Sequence, residues 1–197
     1  MARAAADRGA AVVLLAANVD ASVLADLGEA SPVRVVPVGT TAELEDAAHR
    51  AASGADVVVM AAAVADYRVA NVAAGKIRKE DTGGEAPTLT LVENPDILVG
   101  LVESRRPGQT IVGFAAETVE SEEELLERGR RKLARKGVDL LAVNAVGWER
   151  GFEAGHNELF VLAADGGLLE RAEGSKREVA DALLDGVLAC RAENVIL

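Results

Sequence analysis

Aromatic side chains are scarce in this chain of 197 residues, with one Trp, one Tyr and three Phe, so its core must be filled by Ala, Val and Leu. Cys190 is the single cysteine, which rules out an internal disulfide and suits a reducing compartment. Its setting among Val187, Leu188 and Val195, with no base nearby in sequence, reads as a packing thiol and not a nucleophile. The two histidines, His49 and His156, have no ligand spacing with each other or with Cys190, so no metal cage is built into the sequence. Apolar runs are short and separated by polar helices, and none is long enough to cross a bilayer. Positive charge is in deficit. The formal net charge of -11 argues against general nucleic-acid binding, and any anionic ligand must be met by a local basic patch. The opening MARAAADRGAAVVLL is interrupted by Asp7 and Arg8-Gly9, and no small-residue cleavage site follows, so a cytoplasmic protein is expected.

Half of the residues are apolar, enough for one good-sized domain to bury a core. Residues 3–8 read as the end of an Ala-rich helix, stopped by Gly9 and followed by the strand AAVVLLA over 10–16. Next come the strand VRVVPV over 33–38, a Thr-capped helix TTAELEDAAHRAAS and the apolar run ADVVVMAAAV over 55–64. A helix NPDILVGLVES, with Asn94 as cap and Pro95 in its first turn, precedes the strand QTIVGFA. A charged helix over 121–136, stopped by Gly137, then leads to the strand VDLLAVN over 138–144. Continuous apolar strands alternating with helices require a mostly parallel sheet covered on both faces, a Rossmann-like three-layer α/β sandwich. The tail differs: NELFVLAADGGLLER carries the Asp-Gly turn of an antiparallel hairpin, and Ser175 caps a last helix through Ala189. Between about 66 and 93, Gly75, Gly83, Gly84 and Pro87 predict a projecting flap, closed by the alternation TLTLVE. Domains of this type open on a strand, so a chain that starts inside a helix reads as a single domain over 1–197 whose first strand is missing.

No G-x-G-x-x-G, Walker loop, nucleophile elbow or kinase signature is present. Three segments fall at carboxyl ends of strands or at the helix that follows, where ligands bind in open α/β sheets. AAAVADYR over 61–68 has small residues that let a ligand approach the backbone, and Asp66 offers a carboxylate. NPDIL starts a helix, where unpaired N–H groups favour anions or base edges, although Asn-Pro-Asp is equally a plain helix cap. VGFAAET over 112–118 presents Phe114 as an apolar platform, and Lys132 and Lys136 follow one turn apart on the next helix. The fourth segment, GKIRK over 75–79, lies in the flap, where Lys76, Arg78 and Lys79 concentrate positive charge that could neutralise a polyphosphate; alone, such a run is more often a solvated face.

Taken in order, AAAVADYR, GKIRK, ENPDIL, VGFAAET, a Lys-bearing helix ending RKGVDLLAVN and FEAGHNELFVL resemble phosphopantothenate–cysteine ligase, the C-terminal half of the bifunctional bacterial coenzyme A biosynthesis protein. The resemblance covers essentially the whole chain. It implies a CTP- and Mg2+-dependent ligase that activates the carboxylate of 4'-phosphopantothenate as an acyl-cytidylate and then joins it to cysteine. It places Lys76, the catalytic candidate, on the nucleotide phosphates, with KIRK standing where the family has K-x-K-K, so that Arg78 replaces a lysine. It also assigns Asp66, Pro95, Asp96, Ile97, Leu98, Phe114, Lys132 and Lys136 to the nucleotide, and Ala62 and Ala63 to the substrate. Family members are dimers through the flap and neighbouring strands, which implies a homodimer.

The N-terminus departs from the family. A first strand and an Asn-bearing loop are absent from the sequence, as is the FMN-dependent decarboxylase domain that precedes this half in most bacteria. The loss implies exposed sheet backbone and weak catalysis by the chain as written. Two rivals stand beside the ligase. One is a nicotinamide-dependent oxidoreductase on a Rossmann-like sheet, disfavoured by the missing glycine fingerprint; the other is a non-catalytic partner that dimerises with a full-length ligase.

Overall fold

The computed structural model describes residues 1–27, 31–78, 86–146 and 157–194. In chain order the elements are α1 (Ala2–Asp7), β1 (Val12–Ala17), α2 (Ala21–Leu24), β2 (Val33–Val38), α3 (Thr41–Ala52), β3 (Val57–Met60), β4 (Tyr67–Val69), β5 (Leu91–Glu93), α4 (Ile97–Glu103), β6 (Thr110–Glu117), α5 (Glu122–Lys136), β7 (Leu140–Ala145), β8 (Asn157–Ala163), β9 (Leu168–Gly174) and α6 (Lys176–Asn194). They form two compact units, one of Met1–Ala62 with Ile97–Leu197 and one of Ala63–Asp96.

In the larger unit the valine-rich runs become strands β3, β6 and β7, paired in parallel, and the Asp-Gly hairpin adds β8 and β9 antiparallel, giving the order β3-β6-β7-β8-β9. This is the mostly parallel α/β sheet with a C-terminal antiparallel hairpin that the sequence predicts. Alternation along the strands splits the core in two. Val112, Leu140, Ala142, Leu159 and Val161 meet Val179, Leu183 and Val187 of α6 on one face. On the other, Gly113 lies against Leu98 of α4, where a Cβ would stand 2.9 Å from the Leu98 Cδ2, and Gly129 of α5 lies as close to Val143 and Leu162. Each fully buried Leu or Val in these layers contributes about 1.5–3 kcal/mol.

A separate parallel pair, β1 with β2, runs in register from Val12 opposite Val33 to Ala17 opposite Val38. Pro37, which has no N–H, sits in β2, which has a partner on one side alone among the described residues. No strand pairing joins β1 to β3, so each keeps a free edge among the described residues. All four residues of β3 are half-buried and Val13 is 41% exposed, whereas Ile111, Val112 and Leu140 to Val143 are buried completely. The interruption lies between the β1-β2 pair and β3. Helices bridge it instead: α3 packs on α4, and α1 packs on α6. The second contact is pinned by ion pairs of Arg8 with Asp181 and Asp185 and of Arg177 with Asp7 and Asp181.

Caps account for several boundaries. Thr40 accepts from the Glu43 N–H while the Glu43 carboxylate accepts from the Thr40 N–H, a capping box at the start of α3. The Ser121 and Ser175 hydroxyls cap α5 and α6 by accepting from the Glu124 and Glu178 N–H groups, and Gly137 closes α5 at φ +67. Three expectations need correction, and one element is additional. Asn94 is not the cap of the helix after it, which begins at Ile97. Its amide instead donates to the Ala65 carbonyl at 2.8 Å and accepts from Arg68 at 3.1 Å. The last helix continues past Ala189 to Asn194, because nothing in its sequence breaks it there. The run over 55–64 is strand only to Met60, and a short helix, α2, capped by Asp20, was not legible beforehand.

The smaller unit is an antiparallel pair in which Tyr67 faces Glu93 and Val69 faces Leu91. Its base is tied by the Asn94 N–H to the Asp66 carbonyl and by Arg68 to the Glu93 carbonyl, both at 2.8 Å. The expected flap over 66–93 corresponds to this unit.

Candidate functional site

The carboxyl end of β6 is where charge gathers. Glu117, its last residue, has a side chain only 16% exposed, and Oε1 accepts a hydrogen bond from Lys132 Nζ of α5 at 2.7 Å. Its second oxygen lies 3.6 Å from Arg128, which pairs in turn with Glu124 at 2.7 Å. Burial pushes the Glu117 carboxyl up, but hydrogen bonds and charge from Lys132 and Arg128 outweigh it and hold the group below the usual glutamate range. Around this pair an open cavity of about 420 Å³ is lined by Glu117, Arg128, Arg131, Lys132 and Arg135. The four cations follow the spacing i, i+3, i+4 and i+7, which puts them on one stripe of α5, to the side of the buried Leu125, Gly129 and Leu133.

The structure distributes the other expected residues of the larger unit as follows. Lys136, one turn beyond Lys132, is partly buried and does not line this cavity. Phe114 packs against the α6 side of the core. It is three residues from Glu117 along one strand, so the two side chains leave opposite faces of the sheet. A single ligand touching Phe114 and Lys132 must therefore lie across the strand ends. Ile97 and Leu98 are core residues, 3% and 9% exposed, and can offer a ligand their main chain only. Ala62 is exposed just past β3, with its backbone accessible.

In the smaller unit, Ala63, Asp66, Lys76, Arg78, Pro95 and Asp96 are all exposed. Neither Asp66 nor Lys76 makes a side-chain ion pair or hydrogen bond among the described residues, so both side chains are available. Lys79, the last member of the basic run, lies outside the described residues, as does His156. His49 has a structural setting: its Nδ1 is 3.3 Å from the Ser104 hydroxyl between α3 and α4. Cys190 is partly buried against the α6 core cluster, in keeping with a packing thiol.

Sequence reading overlooked Arg128, Arg131 and Arg135. The signal was present as cations spaced over two turns of a helix that follows a strand end, but a charged helix surface has the same pattern. Only the position of Glu117 tells which face matters. Among the described residues there is no cluster of three or more His, Cys, Asp or Glu able to hold a metal, and no helix long and apolar enough to cross a membrane.

Comparison with known proteins agrees with this architecture. The chain is 44% identical over 194 residues to the coenzyme A biosynthesis bifunctional protein CoaBC of Mycolicibacterium smegmatis, an alignment covering 96% of this chain and 45% of that protein. The chain thus spans under half the length of this relative. A solved structure of the C-terminal domain of CoaBC is similar at a TM-score of 0.68 and 26% identity, covering 94% of this chain and 77% of that one. The DNA/pantothenate metabolism flavoprotein from Streptococcus pneumoniae shares the fold at a TM-score of 0.71 and 19% identity, over 95% of this chain and 83% of that one. The model of the DNA/pantothenate metabolism flavoprotein C-terminal domain matches residues 1–190, and the chain belongs to that family.

Proposed function

We propose that this chain carries the phosphopantothenate–cysteine ligase activity of coenzyme A biosynthesis, with CTP as the activating nucleotide. The observation that carries the reading is the 44% identity to CoaBC over 96% of the chain, within the family matched over residues 1–190. Cations at a strand end of an otherwise acidic protein support it, since an anionic nucleotide needs such a local patch.

The reaction has two displacements. A carboxylate oxygen of 4'-phosphopantothenate attacks the α-phosphorus of CTP, forming a P–O bond as pyrophosphate departs. The amine of cysteine then attacks the acyl carbon, a C–N bond forms, CMP leaves with the C–O bond electrons, and the amine gives up a proton. Both steps need negative charge neutralised and the reactants held in line with water excluded. By resemblance to the family, Lys76, with Arg78 beside it, is read as a phosphate ligand within the smaller unit, and Lys132 and Lys136 are read, separately, as phosphate ligands on α5 of the larger one. Asp66 takes nucleotide hydroxyl or amine groups, Phe114 contributes an apolar surface, and the main chain at Pro95, Asp96, Ile97 and Leu98 meets the nucleotide. Ala62 and Ala63 offer main chain to the acyl substrate. Mg2+ accompanying the nucleotide would supply further neutralising charge at the triphosphate.

The exposed apolar side chains Tyr67, Val72, Ile77, Leu89 and Leu91 of the smaller unit support a homodimer formed through that unit. The edges of β1 and β3 that are unpaired among the described residues support a further strand in a protein extended upstream.

The test is pyrophosphate release from CTP, Mg2+ and 4'-phosphopantothenate, with and without cysteine, by this chain and by a version extended upstream. Turnover by the extended protein, faster than by this chain, is expected. Absence of pyrophosphate release from both sinks the ligase reading and moves the non-catalytic partner ahead.

A further inference from the structure

Four cations share one stripe of α5 in a chain whose formal charge is -11, and like charges at i and i+4, as in Arg128 with Lys132 and Arg131 with Arg135, repel each other. Something must compensate them. Glu124 pairs closely with Arg128, but Glu127 reaches Arg131 only at 3.9 Å with both side chains about two-thirds exposed, and Arg135 has no ion pair among the described residues. One carboxylate is set differently. Glu117 comes from the sheet instead of the helix, is the most secluded charge in the cavity, and contacts Lys132 and Arg128 together. A carboxylate with two oxygens on two cations is the arrangement a phosphate oxygen pair would adopt there.

We propose that the cavity at the end of β6 is a polyanion site built from Arg128, Arg131, Lys132 and Arg135, in which the Glu117 carboxylate is a resident counter-ion that a bound phosphate chain displaces. The inference deepens the reading of Lys132 as a phosphate-binding residue and rests on it. It adds three arginines to the site and gives Glu117 a role opposite in sign to a ligand-holding one. Before binding, Glu117 holds the Lys132 ammonium and the Arg128 guanidinium at the strand end. On binding, phosphate oxygens take over both cations, and Arg131 and Arg135 supply charge along the rest of the chain of phosphates. The alternative is that Glu117 only fastens α5 to β6.

These differ in the direction of one measurement. Binding of inorganic tripolyphosphate is followed by calorimetry at fixed ionic strength for the full chain and for E117Q, R131Q and R135Q, with thermal unfolding of each. The expected result is affinity about threefold to fivefold tighter for E117Q, the scale of one partly exposed charge pair, and weaker by a similar factor for R131Q and R135Q. The salt dependence of binding becomes shallower in both arginine variants. Unchanged or weaker binding by E117Q overturns the counter-ion role. Should E117Q not fold, the two exposed arginines decide, and affinity unchanged in both overturns the site. CTP binding by K132Q separates the parent reading: wild-type affinity there removes the nucleotide role of Lys132 and this inference with it. A loss of CTP binding in K132Q without a gain of tripolyphosphate binding in E117Q removes the inference alone.

Discussion

Lys76 and Lys132 are both lysines expected at phosphates, yet their surroundings differ. Lys76 is exposed without a side-chain partner among the described residues, whereas Lys132 is held by Glu117. Removing Lys76 therefore touches the chemistry and leaves the fold alone. In an upstream-extended protein that turns over, K76A is expected to lower pyrophosphate release by about a hundredfold or more, with an unfolding midpoint equal to wild type. Initial rates with thermal unfolding check this. Gly129 shows the opposite case. A Cβ there would lie 2.8 Å from Leu162 and 2.9 Å from Val143, both in the core, so G129A is expected to destabilise the protein by about 1–3 kcal/mol in denaturant unfolding. Nothing in the sequence marks this glycine apart from its neighbours on a charged helix. Its role follows from the strand it presses against.

At the scale of elements, the joint between α1 and α6 depends on charge. Hydrogen bonding from Arg177 holds the Asp181 carboxyl below its usual range against the opposing effect of burial, with the charges of Arg177 and Arg8 adding to the lowering. Because the folded group is the stronger acid, its contribution is complete above the unfolded aspartate range and is lost as pH falls through the lowered folded value. Stability is thus expected to decline below about pH 4. D181N should flatten that decline while lowering the midpoint near pH 7, and scanning unfolding against pH measures both. High salt is expected to reproduce part of the loss at neutral pH, since these side chains are partly exposed. The caps were more readable than the joints. Thr40, Ser121 and Gly137 sit in local patterns that specify a helix end by themselves, while Asn94 satisfied the same local pattern and was recruited across the chain by Ala65 and Arg68.

For the whole molecule, the edges of β1 and β3 left unpaired among the described residues set an expected pattern of amide exchange. Amides of β6 and β7, paired on both sides and buried, should exchange slowest, and those of β1 and β3 much faster. Extension upstream should slow β1 and β3 selectively if a strand enters between them, and exchange that stays fast argues against that strand. The smaller unit predicts association. Light scattering is expected to give the mass of a dimer, and replacing Tyr67 and Leu91 by Glu is expected to yield monomer.

The sequence by itself determined the class of the fold and its order of elements, because apolar runs, helix periods and caps are written in neighbouring residues and their energies are local. It also determined the family, through six short segments in order. Tertiary structure alone decided which face each side chain takes: that Phe114 leaves the sheet opposite Glu117, that Ile97 and Leu98 are core, and that Arg128, Lys132 and Glu117 form one charged cluster. These depend on which strand pairs with which and where each helix lies across it. Such contacts join residues far apart in the chain, and their free energy has no counterpart in local composition or periodicity.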